Sequence, residues 1–421
     1  MIRIKAFKAV RPGKDLAESI AALPYDVYSE KEARDIVKKN PLSFLKIVRP
    51  ETVFEENTDI YSDKVYKKAA EILQDEIEKG NLCEEDTESL YVYRQTMNGR
   101  AQTGLVACFS VDDYLENRIK RHEFTRKDKE DDRTKHIDVC SAQTGLVFLA
   151  YDGSDSVERI IYDATLNEPL YDFISEDGVR QQVWKISDRS LISDLSAAFC
   201  DVESMYIADG HHRCQSSATV AVKRRSEADK AVHENESDYF LAVAFAKEQL
   251  LIYPYNRVIS DLNGLSREAF MDAVKNAGFT VSEVSVSFTE EERRRGVYKT
   301  AKKGEIAMYL DKKWYRLTAS EAMLNGSAVE SLDVSILQDN ILDKILGITD
   351  PRTDKRIDFV GGIKGMAELE RRCSEDMMLA FALYPTSMDE LIRVTDEGKV
   401  MPPKSTWFEP KLMSGLFVHM I

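Results

Sequence analysis

The stretch YIADGHHRCQSSATVA, residues 206–221, sets Asp209, Gly210, His211, His212 and Arg213 in a row. The chain has only six histidines, and two of them stand here side by side. The apolar run from Met205 to Ala208 reads as the end of a strand, and Gly210 permits a tight turn. Behind it Cys214, Ala218 and Val222 recur every four residues, which is the buried stripe of a helix. Two imidazoles and a guanidinium therefore fall on the first turn of a helix that follows a strand. Free backbone N–H groups and the positive end of the helix dipole make such a start an anion site. Arg213 adds a two-pronged contact for phosphate or carboxylate. Asp209 repels an anion, so its expected part is to hold a histidine or a magnesium ion. The plain alternative is a glycine turn with structurally bonded histidines.

A second stretch, IKRHEFTRKDKEDDRTKH at residues 119–136, holds His122 and His136. Thr125 and Asp128 form a capping-box pattern, which predicts a helix from Arg126. On that helix Lys129, Arg133 and His136 share one face, and Glu130 is spaced to pair with Arg126 and Arg133. His122 and Glu123 precede it in a loop. The spacing is not His-Glu-x-x-His, which excludes a zinc protease of that type. Glu123 is a candidate general base and the basic face a candidate grip on phosphates, against a solvated, salt-bridged helix as the alternative.

Three further stretches carry chemistry. Asp26, in LPYDVY, can take a proton, bind magnesium or stabilise its own turn. Asn256 and Arg257, in YPYNRVI, can contact a polar ligand or form an ion pair on a sheet. Lys404, Ser405 and Thr406, in MPPKSTWFEPK, follow prolines where a phosphate-binding P-loop needs glycines. That excludes a Walker A site and leaves a stiff loop from which Lys404 or Lys411 can reach a phosphate. No Gly-x-Ser-x-Gly elbow and no Gly-x-Gly-x-x-Gly fingerprint occurs.

These residues need elements to position them. A chain of 421 residues is too long for one ordinary core, so two or more domains are expected. Acidic residues number 73 against 58 basic, a net charge of −15, which argues against nucleic acid as the main partner. No run of about 18 apolar residues and no leader-like N-terminus is present, so a cytoplasmic protein is expected. None of the six cysteines forms a Cys-x-x-Cys pair.

Along the chain, SIAAL reads as an apolar strand, followed by a helix capped by Ser29 and Glu32. A helix is predicted over residues 60–79 and a hairpin turning at Asn98-Gly99. LVFLAYD, SMYIAD, FLAVAFA and IYPYNRVI read as strands. Near Leu262 the character changes. SREAFMDAVKNAGFTVSEVSV is a helix then a strand, EIAMYLDKKWYRLTA a hairpin, and LDVSILQDNILDKILGI a helix. Two strand-then-helix units follow, the second capped by Ser387 and Glu390. The expected division is residues 1–262 and 263–421, in a mixed α/β (α+β) architecture.

Five segments in order, LPYDVYSEKEA, IKRHEFTRKDKEDDR, YIADGHHR, YPYNRVI and MPPKSTWFEPKLMSGL, resemble the bacterial and archaeal DUF1015 family over almost the whole chain. Cys214 departs from the pattern, which places an aromatic after the arginine. The turn ADGHHR also resembles the Gly-(x)-His-Arg helix start of the ParB/sulfiredoxin fold. In sulfiredoxin and in the free-serine kinases of that superfamily this turn holds nucleotide phosphates. The second resemblance implies a ParB/sulfiredoxin-like mixed-sheet core, with a C-terminal α/β part that completes the pocket. It further implies a phosphotransferase making O-phosphoserine from free L-serine with ATP or ADP and Mg2+.

On that reading Gly210, His211, His212, Arg213, Lys404 and Ser405 bind phosphate. Asp26, Glu123 or Asp209 serves the chemistry, and Asp209 also the magnesium. His122, Arg133, Asn256 and Arg257 face the substrate. Deleting residues 396–421 is then expected to abolish nucleotide binding. A non-catalytic, ParB-like nucleotide-binding regulator is the alternative, and a homodimer is compatible with either. A sulfiredoxin-like reductase requires a reactive Cys214, whose helical spacing points it to the core.

Overall fold

The structure is a computed structural model that describes residues 1–227, 235–284 and 302–421. It divides into two compact units, Met1–Leu250 with Pro410–Ile421, and Leu251–Glu409. The division falls after Leu250 rather than at the change of character at Leu262, and the last residues return to the first unit. The reason is pairing: Ile252–Tyr253 and Tyr255–Ile259 hydrogen-bond to strands of the second unit, while Val418–Met420 pairs with Ala9–Pro12 and Ala142–Gln143 of the first.

The first unit is built on a mixed nine-stranded sheet. Its order runs Ile119–Lys120, Met205–Asp209, Val147–Tyr151, Tyr239–Ala246, Arg100–Ser110, Leu90–Met97, Arg180–Ile186 and Tyr171–Ile174, with Ile4–Lys5 on the flank of Arg100–Ser110. Tyr239–Ala246 is buried along its whole length, and its unbroken apolar sequence befits a strand covered on both faces. The Leu90–Met97 and Arg100–Ser110 hairpin turns at Asn98 and Gly99, both at positive φ, as the Asn-Gly pair predicts.

One face of this sheet packs Leu105, Ala107, Leu149, Ile207 and Ala244 against the helices Asp155–Ala164, Arg189–Cys200 and His211–Glu227. Phe109 meets Phe199 and Phe240 there at centroid distances of 6.1 and 6.2 Å. Each such buried ring contributes about 1.5–3 kcal/mol. The opposite face carries Tyr91 and Tyr93, whose rings meet Phe417, from the chain's last residues, at centroid distances of 5.0 and 6.4 Å.

A second cluster seats the helices Glu30–Lys39, Leu45–Val48, Asp63–Glu78 and Lys127–Cys140 on a four-stranded antiparallel sheet. The Ser29–Glu32 capping box forms as expected. SIAAL is not a strand: Ala17–Ile20 is a helical turn, and only Ala22 bridges, to Ser414. The helix Lys127–Cys140 begins without a side-chain cap, so the Thr125–Asp128 box is not made. Thr125 instead donates to Glu130.

The second unit is a six-stranded antiparallel sheet ordered Thr280–Glu283, Lys313–Thr318, Glu305–Leu310, Leu379–Ala382, Tyr255–Ile259, Ile357–Gly361. The predicted hairpin turns at Asp311 and Lys312, and Ser387 and Glu390 cap the helix Met388–Asp396. The predicted strand after Gly278 is present as Thr280–Glu283, and its residues 285–286 lie outside the described residues. LDVSILQDNILDKILGI is helical at Asp333–Leu337 and widens to a π turn over Gln338–Leu342. No helix among the described residues is long and apolar enough to cross a membrane.

Candidate functional site at the Gly210 turn

The strand Met205–Asp209 ends in Gly210 at φ +91°, and the helix His211–Glu227 starts at the next residue. A left-handed φ of that size is strained for any residue with a Cβ, so glycine is required. Cys214 N–H donates to the Gly210 carbonyl, closing the first helical turn at 3.0 Å. The N–H groups ahead of Cys214 have no partner within the helix by geometry alone. Cys214 and Ala218 face the core as predicted, but Val222 is half exposed and Ala221 takes its place.

Two neighbouring strands bring further residues to this end of the sheet. Ile119–Lys120 pairs in parallel with Met205–Tyr206, so the loop holding His122 and Glu123 leaves the sheet where Gly210 does. Val147–Tyr151 runs antiparallel to Met205–Asp209, so Thr144, Gly145 and Leu146 enter the sheet at the same end. Parallel neighbours expose their carboxyl ends together, which is why open α/β sheets gather sites there.

His211 is buried, with Nδ1 3.4 Å from Glu123 Oε1 and Nε2 without a hydrogen-bond partner among the described residues. Its ring meets that of His122 edge to face at a centroid distance of 4.4 Å. Burial pushes His122 and His211 down to about 3, so both imidazoles are neutral near pH 7. His122 is also held by a hydrogen bond to the Ile207 backbone. His212 Nε2 accepts from the Arg126 N–H at 3.0 Å, which fixes its Nδ1–H tautomer and ties the second stretch to the turn. Burial lowers its pKa, against the opposing charges of Glu123, Asp26 and Asp128. Asp26 is exposed and close enough to act on both His212 and Tyr25.

Burial would raise the Asp209 carboxyl, but Lys411, Arg213 and His211 outweigh it and hold it at about 2. Lys411 Nζ lies 3.7 Å from Asp209 Oδ2. The Arg213 guanidinium donates to the Leu146 carbonyl and lies within 4 Å of no carboxylate among the described residues. No cluster of three or more metal-ligating side chains occurs among the described residues. A single charged carboxylate beside the free N–H groups of a helix start is a donor set compatible with magnesium, which is commonly held by one or two carboxylates and by phosphate oxygens.

The remaining candidates lie elsewhere. Arg133 is buried, paired with Asp132, stacked 4.3 Å over the Tyr25 ring and bonded to the Val48 carbonyl. His136 is buried on the Ile47 carbonyl at 2.9 Å. The predicted basic face is therefore packed between helices rather than solvated; among the described residues Arg126 pairs with Asp128 and Arg133 with Asp132, and neither with Glu130. Asn256, Arg257, Lys404 and Ser405 belong to the second unit. Asn256 Oδ1 accepts from the Leu383 N–H, while its Nδ2 is buried without a partner. Arg257 is buried over the Phe359 ring and bonded to the Tyr255 carbonyl, with no ion pair among the described residues. Burial lowers it to about 10. Lys404 stacks over Tyr255, and Ser405 bonds to the Pro402 carbonyl. Cys214 is fully buried with its pKa raised well above the usual thiol value, which removes the reductase chemistry.

Sequence reasoning missed the hydroxyls of Tyr25, Thr144, Ser217 and Ser414, which gather beside Arg213. No spacing signals them, because they come from four separate segments.

The family model described as a protein of unknown function, DUF1015, matches residues 4–335. No curated protein matches. Among solved structures, a conserved hypothetical protein from Pyrococcus furiosus is 13% identical, covers 75% of this chain and 95% of its own, and has a TM-score of 0.35. A mutant free serine kinase in complex with ADP is 13% identical over 74% and 92%, with a TM-score of 0.35. SbnI with a C-terminal truncation, from Staphylococcus aureus, is 10% identical over 75% and 87%, with a TM-score of 0.38. At such scores these structures assign no role to any residue here.

Proposed function

This chain belongs to the DUF1015 family, and we propose that it is a nucleotide-dependent phosphotransferase. Its acceptor is a small hydroxyl compound, free L-serine in the first instance, and its donor is ATP or ADP with Mg2+. The single observation that carries this reading is the meeting of Glu123 and Asp26 with the Gly210 turn. Glu123 lies 3.4 Å from His211, and Asp26 acts on His212. An anion cradle alone binds; a cradle with a carboxylate beside it can also take a proton.

In this reading the N–H groups of His211, His212 and Arg213 hold the terminal phosphates, and Arg213 offsets their charge. Neutral His211 turns Nδ1–H toward Glu123 and holds it in place. The acceptor oxygen attacks the terminal phosphorus, the bond to the leaving phosphate oxygen breaks, and the hydroxyl proton passes to Glu123 or Asp26. Asp209, charged throughout the working range, is the residue that would hold magnesium, whose chemistry is to neutralise phosphate charge.

The test is transfer of labelled phosphate from ATP and from ADP to a panel of free amino acids, with wild type and Arg213→Ala. Labelled phosphoserine from wild type, and at least about 100-fold less from the variant, supports the proposal. No product from any acceptor, with nucleotide binding that the variant loses, replaces it with the regulatory reading.

A further inference from the structure

Beside the Gly210 turn, inside the first unit, lies a small, partly open cavity of about 30 Å3. Arg133 and Arg213 line it, with Tyr25, Thr144, Ser217 and Ser414. Thr144, Ser217 and Ser414 are 7, 4 and 5% exposed, so each is more than nine-tenths buried. None of these three hydroxyls, nor that of Tyr25, makes a hydrogen bond with the described residues. Their oxygens are not among the sealed, partnerless polar atoms of the core; they line the cavity, so all four can hydrogen-bond to something that enters it.

The charges say what enters. Arg133 is neutralised by Asp132, with Nη2 and Oδ2 2.7 Å apart. Arg213 has no carboxylate within 4 Å among the described residues. The Tyr25 phenol feels both guanidiniums. Arg213 acts on the Asp209 carboxylate only at a distance, so the lining offers its guanidinium and four hydroxyl donors to an anion. Size then decides between anions. A water-sized occupant needs about 10–15 Å3 of such volume, so the cavity takes two or three. That suits the two oxygens of a carboxylate better than the four of a phosphate.

We infer that this cavity is a carboxylate pocket that anchors the acid group of a small hydroxy or amino acid next to the Gly210 turn. It rests on the phosphotransferase reading only for the purpose of the anchoring. The pocket makes the acceptor a carboxylic acid and rejects the amino alcohol that lacks that group, because the pocket's cation and hydroxyls would then lose their partner.

The test is equilibrium binding by calorimetry to the full chain, with L-serine, ethanolamine and inorganic phosphate as probes. Wild type, Thr144→Val, Ser217→Ala and the double variant are compared, with the melting temperature as the check on folding. Expected are binding of L-serine to wild type, no binding of ethanolamine, and weakening of L-serine by about tenfold or more per hydroxyl removed. Equal binding of L-serine and ethanolamine, no binding of L-serine, phosphate preferred to L-serine, or folded variants with wild-type affinity would each overturn the inference. The wild-type comparison of probes stands even if a variant does not fold. Phosphoryl transfer on the same preparations separates the two readings. L-serine binding without transfer to any acceptor removes the phosphotransferase and leaves the pocket. Transfer to ethanolamine as fast as to L-serine removes the pocket and leaves the phosphotransferase.

Discussion

Replacing Gly210 with alanine separates the turn's conformation from its function. The φ of +91° is one that an L-residue adopts at a cost of about 1–2 kcal/mol. The new Cβ would lie 3.4 Å from Val147 Cα and 3.7 Å from the Leu146 oxygen, which is ordinary contact, so no clash is added. The whole penalty is then about 1–2 kcal/mol, a fall of roughly 2–4 °C in melting temperature for each kcal/mol in a unit of this size. Gly178 supplies the control: its φ is +80° and nothing lies within 4 Å of an added Cβ. Gly178→Ala should therefore lose the same stability. Only Gly210→Ala should lose nucleotide, because relief of the strained φ re-aims the N–H groups of the first turn. Losing one charge-assisted hydrogen bond of about 1.5–3 kcal/mol weakens ADP by roughly 10- to 150-fold. Thermal denaturation and ADP titration of the three proteins decide it. Equal loss of stability with unchanged ADP affinity in Gly210→Ala would refute a phosphate site on this turn.

Other consequences are as direct. Asp26→Asn and Glu123→Gln should leave ADP bound, and one of them should slow phosphoryl transfer by about 100-fold or more; full transfer by both variants removes the carboxylate base. Acid should destabilise the chain. His122, His136 and His211 are buried with pKa values pushed down to about 3, 4 and 3. Their contribution is complete above about pH 6.5. It falls with pH below that, by up to about 1.4 kcal/mol per pH unit for each, as the unfolded chain takes protons the folded one refuses. Urea unfolding at pH 7.5 and 5.5 should show it, with a shallower loss in His136→Gln, and equal stability at the two pH values contradicts it. Under native conditions a thiol reagent should modify exposed Cys83 and spare Cys108, Cys140 and Cys214, which are buried; mass mapping that finds Cys214 modified first reopens the reductase.

Local signals in the sequence were read correctly where one segment decides its own shape. Ser29–Glu32 and Ser387–Glu390 are capping boxes, Asn98-Gly99 turns a hairpin, and the strand, glycine and helix of residues 205–227 stand as read. The errors fall where a distant neighbour decides. The charges of Lys127–Cys140 look solvated in sequence. In the fold that helix is enclosed by Asp63–Glu78 on one side and His211–Glu227 on the other, so Arg133 and His136 are buried with partners from residues 25, 47, 48 and 132. Ala221 rather than Val222 faces the sheet because the helix continues at its own period of 3.6 rather than at a strict four. The four hydroxyls of the cavity could not be read at all, since only the fold makes them neighbours.

The C-terminal segment raises the same issue for the Asp209 carboxylate. Deleting residues 396–421 was the expected way to probe the pocket, but Leu416, Phe417 and Val418 are 0, 1 and 0% exposed and belong to the first unit. Their removal exposes a core, so lost nucleotide binding would report unfolding. Lys411→Met is the sharper perturbation. Lys411 lies 3.7 Å from Asp209 and is the largest of the charges that hold that carboxyl down. Without it the carboxylate faces the phosphates uncompensated unless a cation replaces the ammonium. ADP should then bind more weakly to the variant without magnesium, and the deficit should shrink as magnesium is added. If Asp209 is where magnesium sits, the two cations compete for one carboxylate, and the variant should also bind magnesium with ADP more tightly than wild type. A deficit of the same size at every magnesium concentration would mean that Lys411 contacts the nucleotide itself and that Asp209 serves only to hold Lys411.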